Sequence, residues 1–485
     1  MKNTIKSIIL ATLLVSLTQL VSAAPQNDNW GNATSLASTT AGQIFGSISG
    51  ATVQSCEPSH SFPDEAGSPA EKTVWYKWQV PASGSYTFSF YGTETTIDPV
   101  LSAYRMTVGF CNGDLGEFPQ RVIENHNYNV AMGVGQDTSR ITFRATAGEL
   151  IYISVDSWMG QDGSFEMNWN KARFRYDANL DHNNGGADLV VNRLTPGGMQ
   201  WWTARYRNSP SFNYFGTQTF GKQFDKMLMA DYDGDGISDM VAVRRENGSS
   251  VWWISNKDGQ IIKVVQFGLE FDEPIVGDYD GDGIADIAVV RKDEGSNTRT
   301  WHILRSSDGH YVGAQFGLAN DRLMAGDYDG DGKTDLVVLR AENGSLRWYI
   351  LRSGSNQVVS RLFGNDTGDA PVAVDFGGDG KTDIAVFRRN APASQGPTFS
   401  GYWFSLDSNS QLPLDEVPTQ FQKFGTAFDE PQPGDFDGDG RTDLAVYRDG
   451  QWWIRRTRDG QVSSHNFGIA SDYPMTDGGR YILEF

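Results

Sequence analysis

An internal repeat is the feature that most constrains the fold of this chain. The loop Asp231-Tyr-Asp-Gly-Asp-Gly-Ile-Ser-Asp239 recurs from Asp278, Asp327 and Asp435, and in altered form from Asp375. A degenerate first copy lies at residues 181–188. Successive loops start 47 residues apart (231 to 278) and 49 residues apart (278 to 327). Periods of roughly 20–50 residues are typical of solenoids, propellers and related arrays.

The similarity between copies extends well beyond the loop. In each copy an Arg lies five residues after the last Asp, a Trp follows it, and the unit closes on Phe-Gly. The Arg and Trp residues are Arg193, Arg244, Arg291, Arg340, Arg388 and Arg448, and Trp201, Trp252, Trp301, Trp348, Trp403 and Trp452. The third copy divides into strands at 274–277, 287–291, 300–304 and 311–316. Four short strands in such a period fit a propeller blade, although a linear β-solenoid is the other solution.

The pattern predicts an all-β protein: an N-terminal β-sandwich (24–170) followed by a β-propeller (171–485). The segment from Tyr473 resembles the first strand of a blade that has no blade after it. If this strand completes the first blade, the ring closes with six blades, with seven as the alternative. Residues 24–170 lack the repeat and carry aromatic-rich runs, typical of a sandwich, at 74–80, 86–91, 141–145 and 150–155.

Residues 1–23 are typical of a secretion signal. Lys2 and Lys6 precede an apolar run of about 14 residues, which is shorter than the roughly 20 needed to span a bilayer. No later segment is apolar enough to cross a membrane. We therefore expect an exported protein that is secreted, held on the cell surface or periplasmic.

In an oxidising compartment Cys56 and Cys111 are predicted to form a disulfide, with two free thiols as the alternative.

The acidic composition narrows the classes of partner. The formal net charge is −20. Nucleic acids and anionic lipids need clustered Lys and Arg, so we expect neither as a partner. Such a surface suits divalent cations, although general solubility would also produce it.

The Asp-rich loop has the spacing of a calcium ligand set. Ca²⁺ takes about six to eight oxygen ligands. In the loop from Asp231, oxygens would come from the side chains of Asp231, Asp233, Asp235 and Asp239 and from the carbonyl of Ile237. Carboxylates this close repel one another unless a cation lies between them. A solvated Asp-Gly turn is the alternative. An EF-hand is excluded, because Ala242 occupies the position of its bidentate Glu.

The loop, entering a strand and recurring with Phe-Gly, resembles the FG-GAP (or VCBS) repeats of integrin-type β-propellers over roughly residues 175–477. The resemblance implies Ca²⁺ binding between strands of a blade, at four sites. The fifth copy has Gly377 in place of an acid and would bind more weakly, and the first has His182 and Asn184 in its acidic run. The further implied ligands are Asp278, Asp280, Asp282, Ile284 and Asp286; Asp327, Asp329, Asp331, Lys333 and Asp335; Asp435, Asp437, Asp439, Arg441 and Asp443; and Asp375, Asp379 and Asp383, where Ile284, Lys333 and Arg441 contribute carbonyls.

The N-terminal region resembles the bacterial pre-peptidase C-terminal (PPC) domain. Its motifs include Asn27-Asp-Asn-Trp-Gly-Asn-Ala33, Val74-Trp-Tyr-Lys-Trp78 and Pro81-Ala-Ser-Gly84. Such modules accompany exported hydrolases and are thought to assist secretion or surface binding. No peptidase domain is recognised in this chain.

Paired aromatics are the remaining candidate site. Neighbouring residues in a strand point to opposite faces, so the repeated Trp is expected to pack between blades, with the repeated Arg stacked on it. The second aromatic of each pair (Trp202, Trp253, Tyr349, Trp453) is the better candidate for stacking on a sugar. No catalytic constellation emerges. We predict a non-catalytic, calcium-binding recognition or adhesion protein for a glycan or an extracellular protein. The alternatives are a polysaccharide hydrolase or lyase acting on the propeller face, and a structural or secretion-assisting surface protein.

Overall fold

A computed structural model describes the chain from residue 24 to residue 475 with gaps. The described residues are 24–53, 57, 72–90, 95–97, 99–111, 114–126, 140–157, 160–175, 177–180, 186–206, 214–390, 400–406 and 420–475. Within them the fold is all-β, with a short 3₁₀ turn at Trp30–Asn32. The predicted signal, and Cys56 of the predicted disulfide, lie outside these residues, so both stay predictions. None of the described residues belongs to a helix that could cross a membrane.

The first nine strands form two sheets. They are β1 (Thr34–Ser35), β2 (Ala41–Ser47), β3 (Thr73–Gln79), β4 (Gly84–Phe90), β5 (Pro99–Cys111), β6 (Asp114–His126), β7 (Arg140–Ala145), β8 (Leu150–Ser157) and β9 (Ser164–Lys171). One sheet has the order β1-β3-β8-β5-β6 and the other β2-β9-β4-β7. Both contribute to one aromatic core, where Trp78 packs edge-on against Tyr86 and Phe88. The predicted β-sandwich is therefore present, whereas the domain boundary at residue 170 stays a prediction.

The repeats form a second set of sheets, each with four antiparallel strands. Their strands are β10 (Leu189–Thr195), β11 (Gly198–Ala204), β12 (Tyr214–Thr219), β13 (Lys226–Ala230), β14 (Asp239–Glu246), β15 (Ser249–Ser255), β16 (Ile261–Leu269), β17 (Glu273–Ile275), β18 (Ile287–Lys292), β19 (Arg299–Leu304), β20 (Tyr311–Gln315), β21 (Arg322–Gly326), β22 (Asp335–Glu342), β23 (Ser345–Leu351), β24 (Val358–Asn365), β25 (Asp369–Val374), β26 (Asp383–Asn390), β27 (Ser400–Leu406), β28 (Gln420–Thr426), β29 (Glu430–Pro431), β30 (Leu444–Arg448), β31 (Gln451–Arg455), β32 (Val462–Asn466) and β33 (Tyr473–Pro474). From β13 to β32, each sheet takes four consecutive strands in order. The predicted strands of the third copy agree with β17–β20 to within two residues at each end.

The last strand completes the first repeat sheet. That sheet has the order β12-β11-β10-β33, with Tyr473 opposite Asn192, and the Met475 amide donates to the Val190 carbonyl at 2.9 Å. One apolar cluster joins β10 to β30 and β31 and so packs the last sheet on the first. The chain therefore closes a ring of sheets, which is a β-propeller. The described residues contain six such sheets. The number of blades stays a prediction.

The repeated Trp explains why each unit ends in Phe-Gly. All six Trp side chains are buried, as expected for packing between sheets. Each indole N–H donates to the carbonyl of the Phe before the Gly, for example Trp252 to Phe267 at 3.1 Å. The Gly that follows adopts a φ of 95° at Gly268, a conformation that side chains disfavour. The repeated Trp and the repeated Phe-Gly therefore occur together because the Trp of each unit bonds to the Phe carbonyl of the same unit.

Candidate metal centre

The Asp-rich loops connect the first and second strands of the repeat sheets. In the loop from Asp231, the two carboxylate oxygens of Asp231 accept hydrogen bonds from the amides of Gly234 (2.6 Å) and Gly236 (2.8 Å). These glycines have φ values of 85° and 82°, which bring their amides round towards the carboxylate. The first Asp makes the same two contacts in the other four described loops. The first Asp therefore shapes the loop as well as lining it.

The ninth Asp attaches each loop to its own sheet. Asp286 accepts from the Tyr279 amide at 2.7 Å through one oxygen and from the Ser306 amide at 2.6 Å through the other. Ser306 belongs to the turn after the third strand of that sheet. Asp335 and Asp443 make equivalent pairs of contacts. The loop and this turn are therefore neighbours at one end of the sheet.

Carboxylates gather in the four complete loops, as predicted. Each cluster brings three acids together so that one oxygen from each lies within 4.8 Å of the others. The clusters are Asp231, Asp233 and Asp239; Asp278, Asp280 and Asp282; Asp327, Asp329 and Asp335; and Asp435, Asp437 and Asp443. The fourth predicted acid of each loop (Asp235, Asp286, Asp331, Asp439) lies outside its cluster of three. The left-out acid is at the fifth position in three loops, where Asp235, for example, accepts from the Ile237 amide at 2.8 Å, and at the ninth position (Asp286) in the loop from Asp278.

The two departing copies behave differently. Among the described residues, Asp375, Asp379 and Asp383 do not form such a cluster, although Asp375 still accepts from Gly378 and Gly380. The loop shape therefore survives without the acid that Gly377 replaces. In the first copy, His182 and Asn184 lie outside the described residues. Its last acid, Asp188, accepts from the amides of Leu180 and Tyr206.

The electrostatics of the clusters favour a cation. Burial, reinforced by Asp233 and Asp231, raises the pKa of Asp239 to about 9. Burial also raises the pKa values of Asp335 and Asp443 to about 7. These shifts mean that the charged form is destabilised by burial and by neighbouring carboxylates. A bound dication would instead stabilise the charged form of these carboxyl groups.

Unpaired oxygens provide a direct test of fit. The Oδ2 of Asp282 and the Oδ1 atoms of Asp329 and Asp437 are buried without a hydrogen-bond partner. Asp282 is only 4% exposed. A buried carboxylate oxygen without a partner is costly, and hard cations such as Ca²⁺ take oxygen ligands. The residues present therefore fit a metal ion. The predicted carbonyl ligands remain predictions.

The loops are also joined to one another round the ring. The carbonyl at the start of each loop accepts from the amide that precedes the last Asp of the next loop. The six bonds are Ser238 to Asn179 (2.6 Å), Ala285 to Asp231 (2.7 Å), Thr334 to Asp278 (2.6 Å), Thr382 to Asp327 (2.6 Å), Thr442 to Asp375 (2.8 Å) and Ala187 to Asp435 (2.6 Å). Where that residue is Ser or Thr, its hydroxyl accepts in return. Sequence reasoning missed this ring, although small residues at the eighth position signal it.

The sandwich contacts the loop from Asp231, where the Ser85 hydroxyl donates to the Gly234 carbonyl at 3.4 Å, and the loop from Asp278. The Ser85 amide donates to the Asp282 carbonyl at 2.6 Å, and Lys171 Nζ donates to the Gly281 carbonyl at 2.6 Å. Arg144 reaches the Ser306 carbonyl at 3.1 Å. The Asp-loop end of the propeller is therefore partly covered by the N-terminal sheets.

The expectation that the repeated Arg stacks on the repeated Trp is wrong. In all six repeat sheets, the Arg instead forms a two-pronged ion pair with an Asp at the start of the first strand. Arg291, for example, donates to both oxygens of Asp272 at 2.9 and 2.8 Å. The pairs are Arg193–Asp472, Arg244–Asp225, Arg291–Asp272, Arg340–Asp321, Arg388–Asp369 and Arg448–Asp429. A constant spacing of 19 residues in five of these pairs was the signal available in the sequence.

The second aromatics also differ from exposed sugar platforms. Trp202, Trp253, Tyr349 and Trp453 are half-buried and pack against clusters shared with a neighbouring sheet. Three of these second-position rings carry the repeated guanidinium on their outer face: Arg193 over Trp202 (4.5 Å), Arg244 over Trp253 (5.3 Å) and Arg340 over Tyr349 (4.5 Å). They therefore complete the packing between sheets.

Comparison with known families agrees with this geometry. Residues 231–289 and 327–386 match the family described as FG-GAP-like repeat. These two segments of the propeller are therefore similar to FG-GAP-like repeats. The two matched segments begin at the first acids of two of the four clusters, so the FG-GAP-like repeat and the Asp cluster coincide.

Comparison with solved structures adds little. A chimera of ACO and RPE65 aligns with 10% identity and a TM-score of 0.32, over 81% of this chain and 96% of its own. A quinonprotein alcohol dehydrogenase-like protein from Bacteroides thetaiotaomicron aligns with 11% identity and a TM-score of 0.27, over 87% of this chain and 98% of its own. These TM-scores are too low for either likeness to carry an argument. Comparison with curated proteins gave no match.

Proposed function

We propose that this is an exported, calcium-stabilised recognition protein that binds a glycan or an extracellular protein without transforming it. The observation that carries the proposal is the set of four Asp clusters, with buried carboxylate oxygens that lack hydrogen-bond partners. Calcium is the natural occupant because every candidate ligand is an oxygen. In this proposal the N-terminal sandwich is a PPC-like module that assists export or surface attachment.

The magnitude of calcium binding suits a structural role. Extracellular modules often bind Ca²⁺ with a Kd of about 10⁻⁴–10⁻³ M. At one to ten times the Kd, each site adds about 0.4–1.4 kcal/mol through mass action. Four sites would add about 2–6 kcal/mol, against a typical stability of about 5–15 kcal/mol. Calcium would thus supply a large part of the stability of the propeller.

The exposed side chains support recognition at the end of the propeller opposite the Asp loops. In a four-stranded antiparallel sheet, the loops between sheets lie at the opposite end from the Asp loops. Three such loops carry exposed aromatics at equivalent positions: Phe224, Phe271 and Phe428, which are 88%, 75% and 70% exposed. Phe224 also holds a positive φ of 75°, which is uncommon for a bulky residue and occurs often at functional sites. Exposed rings of this kind suit contact with a sugar or a protein.

Calorimetry with calcium and with a chelator tests the metal role. We expect the chelator to lower the Tm, and Asp233→Asn to reduce both the heat of calcium binding and the calcium-dependent gain in Tm. Asp258→Asn, on an exposed turn of the same sheet, serves as the matched control and should change neither. A Tm that is indifferent to chelator would refute the proposal.

A glycan array with and without calcium tests recognition. Retention of a glycan without product supports the proposal, and its loss in Phe224→Ser would locate the binding face. Release of a shortened glycan would instead identify a hydrolase or lyase.

A further inference from the structure

The four Asp clusters differ in one neighbouring position. Four residues after the repeated Trp, the repeats have Asn256, Arg305, Arg352 and Arg456, for the loops from Asp231, Asp278, Asp327 and Asp435 respectively. This position begins the turn that the ninth Asp holds against the loop. A charged side chain here can therefore lie beside the carboxylates.

The cluster from Asp435 has the most positive charge around it. Arg456 Nε lies 3.9 Å from Asp437 Oδ2, and Arg458 Nη2 lies 3.3 Å from the same oxygen. Asp437 has a side chain that is 6% exposed, and neither of its carboxylate oxygens has a hydrogen-bond partner. On the other side, Arg175 Nη2 lies 4.0 Å from Asp435 Oδ2. Three guanidinium groups thus already balance part of this negative charge.

The cluster from Asp278 has one guanidinium in ion-pair contact, and Lys171 and Arg144 of the sandwich reach the same loop and its turn. Arg305 Nε lies 3.2 Å from Asp280 Oδ2, which also accepts from the Ser307 hydroxyl at 2.6 Å. In the cluster from Asp327, the Lys381 side chain lies against Gly330 of the loop, and the Arg352 Nε has no hydrogen-bond partner among the described residues. The position is therefore basic in both repeats, but only Arg305 contacts its cluster.

The cluster from Asp231 lacks a basic residue at this position. The Asn256 side chain accepts from the amides of Asp258 (3.1 Å) and Gln260 (2.9 Å), so it is engaged in its own turn. None of the described Lys and Arg side chains forms an ion pair with the acids of this loop. Among the described residues this loop therefore has no guanidinium in ion-pair contact with its carboxylates, although the charge of Lys257 acts on Asp235.

We propose that the residue four positions after the repeated Trp sets the order in which the loops take up calcium. The loop at Asp435, with three guanidinium groups beside it, fills last, and the loop at Asp231, which has none at this position, fills before it. The reason is competition, since a dication entering the last loop meets guanidinium groups about 3–4 Å from its ligands. The inference rests on the proposed calcium function and adds graded affinity to it. At calcium concentrations too low to fill every loop, calcium would then occupy the loops on one side of the propeller first.

Exchanging the residues between two repeats tests the inference. Crystals of the full chain carrying Asn256→Arg, Arg456→Asn or neither would be equilibrated at stepped calcium concentrations, and the occupancy of each loop refined against anomalous data. We expect Asn256→Arg to weaken the Asp231 site by roughly three- to tenfold and Arg456→Asn to strengthen the Asp435 site by a similar factor. Lys222→Gln, which removes an exposed charge at the opposite end of the same sheet, is the matched control and should leave the order unchanged.

A second variant separates the loss of positive charge from a disturbance of the turn at Arg456. Arg456 also binds Asp459 and Gln461, so its replacement can disturb the turn. Arg458→Gln removes a half-exposed charge near Asp437 and should raise the affinity of the same site. Equal filling of all four loops in the unmodified chain would overturn this inference alone, whereas no calcium at any loop would overturn the proposed function.

Discussion

The ion pair that closes the ring offers a sharp test of the architecture. Arg193 in the first repeat sheet donates to both oxygens of Asp472 at 2.7 Å, and Asp472 also accepts from the Ile469 amide at 2.9 Å. These partners are 279 residues apart in the chain. We predict that Asp472→Asn weakens the closure of the propeller, because one charged acceptor is lost and the guanidinium is left without its counter-charge.

The size of the effect follows from burial. The Asp472 side chain is 0% exposed and that of Arg193 is 22% exposed. Removing one partner from a fully buried pair costs about 3–5 kcal/mol. Water reaches Arg193 here, and Asn keeps one acceptor, so we expect about 2–3 kcal/mol. For a unit of roughly 300 residues, this corresponds to a fall in Tm of about 3–5 °C.

Hydrogen exchange distinguishes closure from general stability. The Met475 amide, bonded to Val190, should exchange faster in Asp472→Asn than in the unmodified chain. Asp321→Asn breaks the equivalent pair with Arg340 inside a single sheet and is the matched control. It should lower the Tm by a similar amount without a selective rise in exchange at Met475. Equal exchange at Met475 in both variants would refute the claim that the last strand closes the ring through this pair.

Two further predictions concern the core and the contact between sandwich and propeller. Trp252→Phe should lower stability by about 2–3 kcal/mol in denaturant titration, because the buried Phe267 carbonyl loses its donor, whereas Trp253→Phe, whose N–H has no hydrogen-bond partner, should cost less than about 1 kcal/mol. Equal costs would contradict the role given to the Trp and Phe-Gly contact. Lys171→Met removes the bond to the Gly281 carbonyl and should speed amide exchange in β4 about tenfold, whereas unchanged exchange would show that this contact does not hold the sandwich.

Much of the metal centre could be predicted from the sequence because its contacts are local. An Asp reaches amides three and five residues ahead within one loop, so the spacing of acids and glycines is enough to predict the loop. The sequence was less successful in predicting which acids of each loop come together. Each cluster of three leaves out one predicted acid, which is the fifth-position Asp in three loops and the ninth-position Asp286 in the loop from Asp278.

The repeated Arg shows where sequence reasoning failed. The sequence suggested that the repeated Arg stacks on the repeated Trp. In the structure the Arg does stack on an aromatic ring, but on the second aromatic of the pair. The dominant partner is an Asp 19 residues earlier, in the preceding strand of the same sheet. A charged pair with two hydrogen bonds outweighs stacking alone, so the Asp fixes the side-chain direction and the ring packs against it.

The sequence by itself determined the repeat period, the four strands of each unit, the acidic loops and the aromatic residue that each sheet buries, because these depend on contacts within one unit. Tertiary structure decided which loop bonds to which, where the sandwich rests and which guanidinium lies beside which cluster. Those contacts join residues from different units or different turns, and their distances depend on how the sheets stack. Ring closure belongs to both, since the sequence predicted that the last strand completes the first blade, and the packing of the final sheet on the first brings it beside β10.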